Sequence, residues 1–199
     1  MGRVVSPSKS EIRSLRTPLQ PGEQRVLDIF EKCLSDDWEI YTQPHLNGCR
    51  PDFVLLNPNI GMAVFEVKDW DLNAMEYSIR VDNKNGPELV AKKDGRTFKL
   101  QNPLKQLRRY RREIHALYCP RLNSRGGFAT ITAGLIFPFS PLAELEKLLS
   151  PLKGQDALFP QYSPISGAES IGAEDIKQIF PESKRRSSSY MREELAIGL

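Results

Sequence analysis

With 199 residues, 40% of them hydrophobic and 27% charged, the chain has room for one domain with tails and enough apolar side chains for a real core. Its net charge of +3 says little about partners, and its three cysteines and two histidines are too few and too dispersed for a disulfide framework or a thiolate–imidazole zinc site. No apolar run is long enough to cross a bilayer and no secretory apolar stretch opens the chain, so a cytoplasmic location with no membrane partner is expected.

Residues 1–20 are polar and basic, broken by Ser6-Pro7 and Thr17-Pro18, and read as a flexible N-terminal arm or an extended lead-in. The main domain is expected over residues 21–182. Its first helix starts at Pro21-Gly22-Glu23, and Val26, Leu27, Phe30, Cys33 and Leu34 follow the spacing of one buried face. Glu23 continues that stripe, so its carboxylate points inward or lies along the helix end, where an acid also complements the helix dipole.

Trp38–Thr42 reads as a short strand and Asn47-Gly48 as a turn. Residues 52–56 and 62–68 make two further strands joined by Asn57–Gly61. Helix followed by three strands with short connections suits an antiparallel meander. A hairpin over Tyr77–Val81 and Glu88–Lys92 reads as an insertion on the sheet edge, with Asp94-Gly95-Arg96 as a further turn. A second long helix starts at Asn102-Pro103, because Asn is a good N-cap and Pro suits the first helical position. Leu104, Leu107, Tyr110, Ile114 and Leu117 form its apolar side. Thr132–Phe139 reads as a buried strand, Leu142–Leu149 as a helix, Ala157–Phe159 as a short strand, and Glu174–Phe180 as a final helix. Residues 183–199 read as a basic, Ser-rich linker and the start of a further segment, which suggests the front of a longer protein.

Two of these strands carry ionisable residues where plain core residues are expected. Side chains alternate faces along a strand, so Met62, Val64, Glu66 and Lys68 share one side, and Asp52, Val54 and Leu56 share one side of the preceding strand. If the strands pair with Asp52 and Glu66 on the same side, the two carboxylates converge. Burying unpaired charge costs several kcal/mol. A Mg2+ or Mn2+ ion between the acids, with the Val67 carbonyl as a further ligand, satisfies them. Lys68 then assists an attacking water and offsets charge on a phosphodiester. Glu23 can approach as a third acid, and Gln106 can orient the water or hold a phosphate oxygen. The competing reading of Glu66 and Lys68 is a surface ion pair worth little. The apolar residues on the same face argue against it.

Pro51-Asp52 followed by Glu66-Val67-Lys68, after an αβββ opening and before an αβ unit, resembles the PD-(D/E)XK nuclease superfamily. More narrowly, Pro21-Gly22-Glu23, Val64-Phe65-Glu66-Val67-Lys68-Asp69-Trp70, and Gln101-Asn102-Pro103 with Gln106 resemble the nuclease-related domain, NERD, over roughly residues 20–140. The resemblance implies an α/β, restriction-endonuclease-like αβββαβ core with a central mixed sheet between helices, and metal-dependent cleavage of nucleic acid. It implies Asp52, Glu66 and Lys68 as the catalytic set, with Glu23 and Gln106 as accessory positions, and a helicase or kinase domain as a common neighbour. The chain departs from the family in having Pro51 where Ile commonly precedes the first acid, and in a long insertion over residues 71–99.

Lys105, Arg108, Arg109 and Arg112 gather on one side of the second long helix, bordering Gln106. Together they fit a track for phosphates, although any one of them reads by default as a solvated charge. The expected function is therefore a Mg2+- or Mn2+-dependent endonuclease module acting on DNA, with RNA still open, next to a helicase in cis or in trans. The rivals are a non-cutting nucleic-acid-binding module of the same fold and a protein-recruiting domain. Trp38 is expected in the core. Trp70 either packs or stacks on a base.

Overall fold

A computed structural model describes residues 3–15, 17–82, 86–117, 131–153 and 160–185. In chain order the elements are β1 (Val5–Ser6), α1 (Lys9–Ile12), α2 (Pro21–Cys33), β2 (Glu39–Thr42), β3 (Phe53–Asn57), β4 (Gly61–Val67), β5 (Glu76–Asp82), β6 (Gly86–Lys93), β7 (Arg96–Lys99), α3 (Pro103–Leu117), β8 (Ile131–Ile136), α4 (Leu142–Lys153), β9 (Ile165–Ser166), α5 (Ala168–Gly172) and α6 (Ile176–Ile179). Among the described residues no helix is long and apolar enough to cross a membrane.

Six strands form one mixed sheet in the order β1-β2-β3-β4-β8-β9. The β2–β3 and β3–β4 pairs are antiparallel, while β1–β2, β4–β8 and β8–β9 are parallel. The run α2-β2-β3-β4-α3-β8 is the expected αβββαβ order. Every residue of the central strand β4 is buried, because helices cover both sheet faces. On one face Phe53, Leu55, Ala63, Phe65 and Val67 pack with Val26, Leu27 and Phe30 of α2 and with Ile171, Ile176 and Ile179 of α5 and α6. On the other, Val54, Met62 and Val64 meet Leu104, Leu107, Tyr110 and Ile114 of α3 and Leu145, Leu149 and Leu152 of α4.

Local signals explain where the two long helices begin. The Glu23 carboxylate accepts the Gln20 N–H at 3.0 Å, closing the first turn of α2, and Pro21 occupies a position whose N–H needs no partner. In α3 the Asn102 Oδ1 accepts the N–H groups of Leu104 and Lys105 at 3.0 and 3.2 Å, as its N-cap assignment requires.

Of the two forms expected for the N-terminal segment, its start is extended and packed. Val5–Ser6 adds a parallel strand to β2, Ile12 is buried, and Arg3 reaches the C-terminal end of α2, donating to the Phe30 carbonyl at 3.2 Å. A guanidinium suits the carbonyl-rich end of a helix. Strands of two residues carry no readable period, which is why this pairing has no signature in the sequence.

The insertion also differs. It is a three-stranded antiparallel sheet, β5-β6-β7, separate from the main sheet, not a hairpin hydrogen-bonded to its edge. Its apolar residues Ile79, Leu89 and Leu100 join the core on the α3 side. Asp52 and Lys68 each lie one residue outside the strands expected to contain them. The short strand expected at Ala157–Phe159 lies outside the described residues, as do residues 186–199. At the start of the expected linker, Ser183 is buried and its carbonyl accepts the Trp38 Nε1–H at 3.2 Å, so this residue still belongs to the packed domain.

Candidate functional site

The β3–β4 register pairs Phe53 with Phe65 and Val54 with Val64. Continued by one residue, it sets Asp52 opposite Glu66, on the side of Val54 and Val64, beneath α3. The convergence expected from strand parity therefore holds. The Asp52 Oδ2 accepts the Val67 N–H at 2.6 Å, which ties this carboxylate to the last residue of β4.

Glu66 is 5% exposed and collects three donors. Its Oε1 accepts from Lys68 Nζ and from Gln106 Nε2, each at 2.6 Å, and its Oε2 accepts from the Tyr110 hydroxyl at 3.1 Å. Lys68 is anchored by its backbone N–H, which donates to the Ile136 carbonyl at 2.9 Å, where β4 leaves the sheet. Gln106 Nε2 also donates to the Tyr110 oxygen at 2.6 Å. With its amino group held by these two partners, Gln106 has no donor left for a phosphate oxygen. Among the described residues its buried Oε1 has no hydrogen-bond partner.

Glu23 is buried, and both of its expected readings hold at once. It caps α2, and it also accepts the Gln43 Nε2–H at 3.2 Å. Gln43 in turn accepts from Arg50 Nη2 at 2.6 Å, and its backbone N–H donates to the Asp52 carbonyl at 2.8 Å. Gln43 adopts φ 48°, a left-handed conformation uncommon for a residue other than glycine. A side-chain chain from Arg50 through Gln43 to Glu23 thus runs beside Asp52.

Burial, and then the facing Glu66 carboxylate, push the Asp52 carboxyl up to about 8 from an ordinary 3.8. Glu23 pushes the same way, while the Val67 N–H and the Lys68 ammonium oppose. Burial, with Glu66 behind it, also raises the Tyr110 hydroxyl. Between 3.8 and about 8 the folded protein holds a proton on Asp52 that the unfolded chain has released. Stability therefore falls as pH rises through that window, and the loss is complete once Asp52 has ionised. Asp52→Asn removes this dependence. In EDTA, thermal melts of wild type and variant should diverge as pH rises above about 4 and run parallel above about 8, with the variant melting higher. Curves parallel throughout would show that Asp52 is not held protonated.

Among the described residues no three His, Cys, Asp or Glu side chains gather to share one ion. The site supplies two facing carboxylates. That donor set fits a hard cation of the magnesium type, which commonly takes one or two carboxylates and completes its shell with water and substrate phosphate. The raised Asp52 fits too, because a cation relieves the repulsion that otherwise keeps its proton in place. Asp52 forms no ion pair with any described lysine, arginine or histidine.

Several contributors have no signature in the sequence pattern. Tyr110 reads there as a core residue, and only its hydroxyl reaches Glu66. Asp69 lies inside the quoted Glu66–Trp70 stretch, yet its role shows only in three dimensions. Its Oδ2 accepts the Gly22 N–H at 3.1 Å. A Cβ on Gly22 would sit 2.0 Å from Asp69 Oδ1 and 2.9 Å from Pro138 Cγ, so glycine lets the start of α2 close against the segment leaving Lys68. Gly22 and Asp69 thereby fix the segments carrying Glu23 and Lys68 against each other.

The basic side of α3 is mixed. Lys105, Arg108, Arg109 and Arg112 are exposed. Arg108, however, donates to the Leu152 and Lys153 carbonyls at 2.9 and 2.7 Å, capping the end of α4. Arg112 lies 3.7 Å from Glu113. Trp38 is in the core as expected. Trp70 packs, with its ring stacked on Tyr77 at 5.1 Å and tilted against Phe137 at 5.2 Å.

A family model described as nuclease-related domain matches residues 19–138, from the start of α2 through the end of β8. Among curated proteins and among solved structures, nothing matches the chain.

Proposed function

The chain belongs to the nuclease-related domain family, and from that premise we propose that it hydrolyses phosphodiester bonds of DNA with the help of Mg2+ or Mn2+. The observation that carries the proposal is the convergence of Asp52 and Glu66 with the Lys68 ammonium and the Gln106 amide on one side of β4. Asp52 and Glu66, with the Val67 carbonyl, are the groups that would hold the cation. When bound, it supplies an activated water and charge neutralisation at the phosphodiester.

The chain's own residues divide the remaining work. Lys68, paired with Glu66 and 22% exposed at its side chain, would turn toward charge developing on the phosphoryl oxygens. The buried Gln106 Oε1 would accept a hydrogen bond from the attacking water and so fix its direction. Tyr110 and Gln106 hold Glu66 in place, and the Val67 N–H holds Asp52. In the overall reaction the water oxygen bonds to phosphorus, one ester P–O bond breaks, and a proton of the water ends on the departing alkoxide. Lys105 and Arg109 offer the clearest phosphate contacts on α3, with Arg112 beside them. The module would work beside a helicase or another DNA-processing partner, in cis or in trans, in the cytoplasm.

A second reading has its own support. Glu66 already has three donors, so the same fold can serve as a non-cutting nucleic-acid-binding module. Incubation with plasmid and with single-stranded DNA separates the two. Nicking in Mn2+ that EDTA stops supports hydrolysis. Folded protein that binds DNA yet cuts neither substrate in any divalent metal supports the binding module and overturns the proposal.

A further inference from the structure

We propose that the β5-β6-β7 sheet carries a contact for single-stranded nucleic acid, with Phe98 stacking on an unpaired base and Lys93 and Arg96 taking the flanking phosphates. The proposal rests on the nucleic-acid reading of the site and narrows its substrate class.

The register sorts this sheet into two unlike faces. Lys92 pairs with Glu76, and Lys99 lies over Glu88, each across neighbouring strands on one side. Two of the three cations of that face, Lys92 and Lys99, are thus paired, and the third, Arg80, stands opposite Glu88. The other side packs Ile79 and Leu89 into the core, and toward its edge Tyr77, Ala91 and Phe98 stand in one row, with Lys93 and Arg96 directly opposite each other one step further along. Among the described residues neither Lys93 nor Arg96 is in an ion pair, and Asp94 in the intervening turn pairs with neither. Ala91 is fully buried, whereas Phe98 is 48% exposed on the edge strand, where every residue is exposed. An apolar ring held open to solvent beside two free cations, with no paired acid among them, complements a chain that offers flat base faces and regularly spaced anions.

The row begins next to the proposed site. Tyr77 stacks on Trp70, two residues beyond Lys68, and Phe98 lies two strand spacings further, about 10 Å across the sheet. At its far end the sheet runs into α3, since the Leu100 N–H donates to the Leu89 carbonyl at 2.9 Å just before the Asn102 cap. Both stems of the insertion are thus the segments that carry Lys68 and Gln106. A closed duplex hides its base faces, so stacking on Phe98 selects a single strand or a frayed end.

The test is equilibrium binding of a labelled single strand and of its blunt duplex, in EDTA, to the full chain and to Phe98→Ala, Phe98→Trp and the pair Lys93→Gln with Arg96→Gln. Phe98→Ala should weaken single-strand binding by about 5-fold or more and duplex binding by less than about 2-fold, and Phe98→Trp should restore it. The paired substitution should reduce the slope of log affinity against log salt by about 1.4 on the single strand. Equal losses on both substrates, an unchanged single-strand affinity in Phe98→Ala, or an unchanged salt slope would overturn the proposal. Because EDTA prevents metal-dependent cutting, the result is independent of the hydrolytic proposal. Phe98 dependence in a chain that never cuts would sink hydrolysis alone, whereas cutting without Phe98 dependence would sink only this contact.

Discussion

Lys68→Met should lower phosphodiester cleavage by about 10²–10³-fold while leaving DNA affinity within a few-fold of wild type. Lys68 sits 2.6 Å from Glu66 at the edge of a buried carboxylate pair, yet its side chain remains 22% exposed. Methionine retains the apolar stem and removes the ammonium. Glu66 keeps Gln106 and Tyr110 as donors, so the fold has no reason to collapse. The loss should appear in single-turnover rate and not in binding, because an interaction that strengthens only as charge develops lowers the barrier without tightening the ground state. Cleavage that survives in Lys68→Met would remove Lys68 from the reaction. A variant that loses affinity and rate together would make Lys68 a binding residue.

Phe65→Ala should cost about 3–5 kcal/mol of stability, the largest effect expected of any single truncation near the site. Phe65 is fully buried, with its ring 5.3 Å from Phe30 and 5.4 Å from Phe180. Those aromatic contacts couple β4 to α2 and to the segment following α6, and Phe65 immediately precedes Glu66. On the neighbouring strand, Gly134 is its register partner, and a Cβ there would lie 2.5 Å from Phe65 Cε1. Gly134→Ala alone should therefore cost about 1–3 kcal/mol through overpacking. In the double variant the new methyl enters the space the ring vacated, so the two costs should fall short of adding by at least about 0.5 kcal/mol. Denaturant melts of the four proteins measure this coupling. Simple additivity would show that the Phe65 ring does not fill the space above Gly134.

The period of two along β3 and β4 makes Asp52 and Glu66 legible as partners in the sequence, because parity alone decides which side each faces. The two long helices were legible from Pro21, Asn102 and Pro103, whose chemistry marks a helix start. Pieces that depend on single atoms were not. Tyr110 belongs to an apolar stripe, so periodicity conceals the hydroxyl that binds Glu66. Arg108 looks like any member of the basic face until the end of α4 arrives beneath it. Gly22 reads as an ordinary helix-start residue, yet its lack of a Cβ is what admits Asp69. The strands β1, β7 and β9 are too short, or too polar, to show a period, and the identity of the sheet they join is a tertiary matter. The separation of the insertion into its own sheet follows from its apolar residues, which pack down on the α3 side and do not extend the main ladder.

Lys68 is the ordinary counter-ion of Glu66 in this structure, but Asp52 forms no ion pair with a described cation, and burial with Glu66 opposite holds its carboxyl up to about 8. That imbalance is what a divalent ion would correct. Titration of Mn2+ followed by electron paramagnetic resonance, at a pH above 8, on wild type, Asp52→Asn, Glu66→Gln and Lys68→Met tests the point most directly. One site is expected in wild type and in Lys68→Met, and it should be lost in both carboxylate variants. Binding that persists unchanged in Asp52→Asn and Glu66→Gln, or no binding in folded wild type even with DNA present, would contradict it.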